Sequence, residues 1–112
     1  MKWIDLNEPA QLDLIDKKSI ESPILIFKHS TRCSISKVAL SRLDNGQPEL
    51  EMDCYYLDLL NHRDISNLIA ERYQVVHQSP QVLIIRNGKC EYSDTHMNIT
   101  FEDIKKEATE LV

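Results

Sequence analysis

Two hydrophobic rhythms alternate along the chain. Ile24-Leu25-Ile26-Phe27, directly after Pro23, is a continuous apolar run, which predicts a strand from Ile24 to Lys28 buried on both faces. Ile35, Val38, Ala39 and Leu43 then recur at helical spacing, and Asn45-Gly46 supplies the glycine that closes many helices. A second strand is expected from Met52 to Leu59. Asn61-His62-Arg63-Asp64 has the spacing of a capping box, with aspartate in place of glutamate, and Ile65, Leu68, Ile69 and Tyr73 form a helical stripe behind it. Gln81–Arg86 and Lys89–Ser93 flank Asn87-Gly88, the dipeptide suited to a tight hairpin because both turn residues need positive φ. Thr100, followed by Phe101, Ile104, Ala108 and Leu111, opens a final amphipathic helix. At the other end, Asn7 followed by Glu8-Pro9 predicts the cap and first turn of a short helix through Leu12 and Ile15 to about Lys18.

The expected order is helix, strand, helix, strand, helix, hairpin, helix. One sheet of four strands with flanking helices, an α/β sandwich, accommodates it. The 112 residues are one ordinary domain, residues 1–112, without repeats, linkers or low-complexity stretches. Acidic and basic residues, 18 and 13, are interspersed, which gives no basic face for nucleic acid. The densest apolar run is four residues, far short of a signal peptide or spanning helix. A cytoplasmic protein with no membrane partner is therefore expected, in a compartment that keeps thiols reduced.

Three cysteines stand at 33, 54 and 90, and none belongs to a C-x-x-C or zinc-spaced cluster. No metal site is expected. Cys33 falls where the first buried strand gives way to a helix, after the polar turn His29-Ser30-Thr31-Arg32. The thiolate is the reactive form of cysteine, and a helix mouth favours it through unpaired N–H groups, here those of Ser34, Ile35 and Ser36, and through the helix dipole. Arg32 and His29 could add positive potential, and the Ser36 hydroxyl could donate to the sulfur. A cytosolic cysteine is most often a small buried residue, but this placement reverses that expectation. Cys54 and Cys90 lie inside predicted strands and are expected to be packing residues. His29 fits either a tuning group or a solvated turn residue. His62 and His96 read as exposed, and no Asn or Asp is marked out to orient His77 as a partner base for Cys33.

Phe27-Lys28-His29-Ser30-Thr31-Arg32-Cys33-Ser34-Ile35-Ser36, taken with His77-Gln78-Ser79-Pro80-Gln81-Val82-Leu83-Ile84-Ile85-Arg86-Asn87-Gly88-Lys89, resembles the monothiol bacilliredoxin family. The resemblance runs from about residue 3 to the end. It implies a thioredoxin-like fold around a four-stranded mixed sheet, a cis peptide at Ser79-Pro80, and Cys33 as the attacking thiol. It also implies that Thr31, Ser79 and Pro80 bind substrate, with the Ser79 backbone pairing with the substrate chain. The family commonly carries proline after the cysteine, where this chain has Ser34; serine leaves the first helical turn less stiff.

A dithiol thioredoxin resolves its mixed disulfide with a second cysteine three residues on. Here that position is Ser36, so an adduct on Cys33 must be released by an outside thiol. Such chemistry suits removal of a small thiol from a protein. By resemblance the small thiol is bacillithiol, a co-substrate; no tightly bound cofactor is expected, and the partners are S-thiolated proteins. One alternative is an iron–sulfur carrier resembling monothiol glutaredoxins, although C-S-I-S stands where those carry C-G-F-S. Another is a thioredoxin-fold binding or stress-response module that makes no use of thiol chemistry.

Overall fold

A computed structural model of the protein describes residues 1–44 and 50–112. The elements are β1 (Trp3–Asp5), α1 (Gln11–Lys18), β2 (Ile24–His29), α2 (Ser34–Asp44), β3 (Cys54–Asp58), α3 (Arg63–Tyr73), β4 (Gln81–Arg86), β5 (Lys89–Thr95) and α4 (Phe101–Glu110). A single turn of 3-10 helix, His96–Asn98, joins β5 to α4.

The strands form one mixed sheet in the order β1-β3-β2-β4-β5. β1, β3 and β2 run parallel, whereas β4 is antiparallel to β2 and β5 antiparallel to β4. The sheet has five strands rather than the expected four. The added strand, β1, is three residues long, too short to carry a periodic signal. Tertiary contacts hold it at the edge: the Trp3 ring packs 5.6 Å from Phe27, and its indole N–H donates to Asp44 at 2.9 Å.

Alternation along the strands sends two sets of side chains to two cores. Ile24, Ile26, Tyr55, Leu57, Leu83 and Ile85 meet Leu12 and Ile15 of α1 and Ile65, Ile69 and Tyr73 of α3. Leu25, Phe27, Val82 and Ile84 meet Ala39 and Leu43 of α2 and Phe101, Ile104 and Ala108 of α4. β2, between β3 and β4 and covered on both faces, is buried at every residue. This double burial explains its unbroken apolar run.

Local signals succeeded unevenly. Asn87 and Gly88 take φ of 55° and 73°, the hairpin expected of them. The Thr100 side chain accepts the Asp103 N–H and caps α4. Asn7 does not cap α1. The Gln11 side-chain oxygen instead accepts the N–H groups of Asn7 and Glu8 at 2.8 and 2.9 Å, and Pro9 lies in a turn before the helix. The Asn61 capping box is also absent. α3 begins after His62 with no side-chain cap, and the Asn61 amide turns back to donate to Asp58 Oδ2 at 2.7 Å. Asn45-Gly46, expected to end α2, lies outside the described residues.

Candidate functional site

The parallel strands β2 and β3 end together, with His29 paired to Asp58. From His29 the chain turns through Ser30, Thr31 and Arg32 into α2. The half-buried Cys33 immediately precedes the first helical residue. Its N–H donates to the Ser30 carbonyl at 3.2 Å, and its carbonyl accepts the Lys37 N–H at 3.1 Å. Cys33 thus occupies the capping position of an 11-residue helix with no acidic residue in its first turn. The backbone N–H groups of Ser34, Ile35 and Ser36 belong to that first turn. Thr31, Arg32, Ser34 and Ile35 are exposed beside the thiol.

Ser36 is fully buried, and its hydroxyl is engaged differently from the expected bond to sulfur. Its Oγ accepts the Ser30 N–H at 3.0 Å and lies 2.7 Å from His29 Nδ1. A hydroxyl has one hydrogen to give, so Ser36 serves either His29 or another acceptor at any moment. This pair fixes the turn that carries Cys33. His29 is not a solvated turn residue, because β2 extends one residue beyond the expected strand Ile24–Lys28 and takes His29 into the sheet. Its ring lies 5.6 Å from Phe27 and 5.5 Å from Tyr56. Burial lowers its pKa below the ordinary value, against the opposing pull of the Asp58 carboxylate. The imidazole is therefore neutral at pH 7.

The other face of the same strand end carries Lys28, also fully buried. Its ammonium donates to the Ser66 carbonyl of α3 at 3.3 Å and lies 3.3 Å from His77 Nδ1. Ser66 Oγ approaches the same ring nitrogen at 3.1 Å. Burial lowers the Lys28 pKa to about 8. Lys28 was legible in sequence only as the polar end of an apolar strand, and the Lys28–Ser66–His77 cluster needed the fold to assemble it.

Ser79-Pro80 is cis and leads into β4, with Pro80 buried. Lys28 pairs with Gln81, the last pair of this ladder, so the strand that leads into the Cys33 turn ends where the strand that follows Pro80 begins. The proline loop and the Cys33 turn therefore share one end of the sheet. The His96 N–H donates to the Pro80 carbonyl at 3.1 Å and ties the loop to the end of β5. Among the described residues, the buried side-chain atoms without a hydrogen-bond partner are Asp58 Oδ1, Ser79 Oγ and Gln81 Oε1. All three sit at this end of the sheet.

Cys54 and Cys90 lie at the opposite end of the sheet. Cys54 begins β3, and Cys90 pairs with Ile85, whose other neighbour is Ile24 at the start of β2. Burial pushes the Cys54 thiol up to about 12 and raises that of Cys90, which disfavours the thiolate at both. Their expected packing roles fit these positions. His96 is exposed as expected, whereas His62 is half-buried at the start of α3. No group of three or more His, Cys, Asp or Glu side chains among the described residues is arranged to hold a metal.

Residues 4–104 match the family described as monothiol bacilliredoxin. The chain belongs to that family. Among solved structures, it resembles one provisionally described as an oxidoreductase with a thioredoxin fold, at 29% identity over 93% of this chain and 91% of that one, with a TM-score of 0.82. Reduced thioredoxin from Schistosoma mansoni superposes over the full length of both chains with a TM-score of 0.73 at 12% identity. Thioredoxin f from spinach chloroplast does so at 13% identity, covering 98% of this chain and 93% of its own, with a TM-score of 0.73. The thioredoxins establish the fold. Membership of the family makes this chain a thiol-redox protein, on the scaffold that the thioredoxins share. None of its described helices is long and apolar enough to cross a membrane.

Proposed function

We propose that the protein is a monothiol oxidoreductase that takes a small thiol from S-thiolated proteins, with Cys33 as nucleophile. Family membership supports bacillithiol as that thiol. The Cys33 thiolate attacks the sulfur of the small thiol in a protein–S–S–R disulfide. The S–S bond of the mixed disulfide breaks as the new S–S bond between Cys33 and R forms, and the substrate cysteine leaves with its own sulfur as a thiolate that takes a proton from water. An outside thiol then attacks the R sulfur, leaves with it as a new disulfide, and returns Cys33 to the thiolate. The outside thiol is oxidised, and the protein thiol is the reduced product.

The observation carrying this reading is the placement of the thiols. One thiol belongs to the residue at the N-terminus of a helix, at the end of the sheet that carries the proline loop; the position three residues on holds the buried Ser36, and the other two thiols lie at the far end. Thr31, Arg32, Ser34 and Ile35 flank Cys33 along the chain, and together with Ser79 and Pro80 at the same end of the sheet they would supply the surface against which a substrate chain lies. Release of an S-thiolated carrier protein tests the proposal. Cys33→Ser should abolish release, whereas Cys54→Ala and Cys90→Ala should retain it. Sustained turnover should require an added small thiol; turnover without one would contradict a monothiol mechanism.

A further inference from the structure

His77 precedes Pro80 by three residues and is exposed, yet its Nδ1 is held from within the fold. Ser66 Oγ approaches this nitrogen at 3.1 Å and the Lys28 ammonium at 3.3 Å. An ammonium can only donate, so Nδ1 serves as the acceptor, and a neutral ring then carries its proton on Nε2. The anchoring leaves the exposed His77 with one N–H donor, on Nε2, that these two contacts do not use. The formal charges acting on the ring, those of Lys28 and Arg63, are both positive. Lys28 has no carboxylate in ion-pair contact among the described residues, although a buried ammonium without a counter-charge is costly. Such a donor in a positive field, backed by an uncompensated buried cation, is suited to an anion.

We propose that His77, anchored by Lys28 and Ser66, binds a carboxylate on the small-thiol half of the mixed disulfide. The inference rests on the exchange chemistry proposed above and adds a specificity to it: this bacilliredoxin should favour small thiols bearing carboxylates over uncharged ones of similar reactivity. Lys28 acts as a positioning residue, because it is fully buried and reaches the ligand only through His77.

The test uses the full chain and one carrier protein thiolated in two ways, with glutathione, which bears carboxylates, and with 2-mercaptoethanol, which bears none. Loss of a charge-assisted hydrogen bond predicts that His77→Phe lowers kcat/KM for the glutathione adduct about tenfold and that for the mercaptoethanol adduct by less than about twofold. His77→Asn, which keeps an N–H donor, should recover much of the loss. The rate of Cys33 alkylation should be unchanged in both variants. Equal losses on the two adducts, or no loss on either, would overturn the carboxylate site and leave the exchange reading intact. Absence of exchange by the unmodified protein on both adducts would instead remove the exchange reading, and this inference with it.

Discussion

Ser36 shows how one side chain can decide between two chemistries. It stands where a dithiol protein would hold its resolving cysteine, and its hydroxyl instead joins Ser30 N–H to His29 Nδ1. Ser36→Ala leaves the buried His29 ring and the half-buried Ser30 N–H without their partner, and a loss of about 1–3 kcal/mol is expected in urea unfolding. The same variant should slow alkylation of Cys33, because the turn presenting the thiol is no longer fixed; an unchanged rate would separate the turn from reactivity. Ser36→Cys tests the position itself. Residues three apart on a helix are neighbours, so oxidation should join the introduced thiol to Cys33, read as the loss of two hydrogens from the intact mass. The position of Cys33 was legible because a strand, a polar turn and a helical stripe can all be read locally. The true partners of Ser36 were not, since His29 enters the site only once β2 has been extended and Phe27 and Tyr56 have enclosed its ring.

Elements repeat this division between local and tertiary signals. β4, the Asn87-Gly88 turn and the Thr100 cap were readable because each is written within a few consecutive residues. Loss of the Thr100 cap should cost about 1 kcal/mol in a Thr100→Ala variant by thermal unfolding. β1 was missed because Trp3 and Asp44 secure it from across the chain, and the Asn61 cap failed because Asp58 bound the amide first. β2 conceals the largest surprise, a lysine buried at the end of an apolar strand. Burial lowers the Lys28 pKa to about 8 from an ordinary 10.5. Between those values the unfolded chain holds the proton more tightly than the folded one, so stability rises with pH across that window. The contribution approaches about 3 kcal/mol. Lys28→Met should flatten the rise, measured as urea midpoints from about pH 7.5 to about pH 10.5. A profile identical to that of the unmodified protein would show that the ammonium is not buried as described.

On the scale of the molecule, the sheet sorts three similar thiols into two classes. Parallel β2 and β3 deliver Cys33 to the end of the sheet where the proline loop lies, and Cys54 and Cys90 remain at the other end. The element order made this class of fold legible, whereas the segregation of the thiols depended on register, which no local pattern contains. The most direct test mixes the reduced protein with an equimolar S-thiolated protein and no other thiol, then quenches with acid and maps the adduct by peptide mass spectrometry. The proposed mechanism predicts one equivalent of the small thiol on the peptide containing Cys33, matched by one equivalent of freed substrate thiol. Freed substrate with the small thiol on Cys54 or Cys90, or no transfer at all, would contradict it.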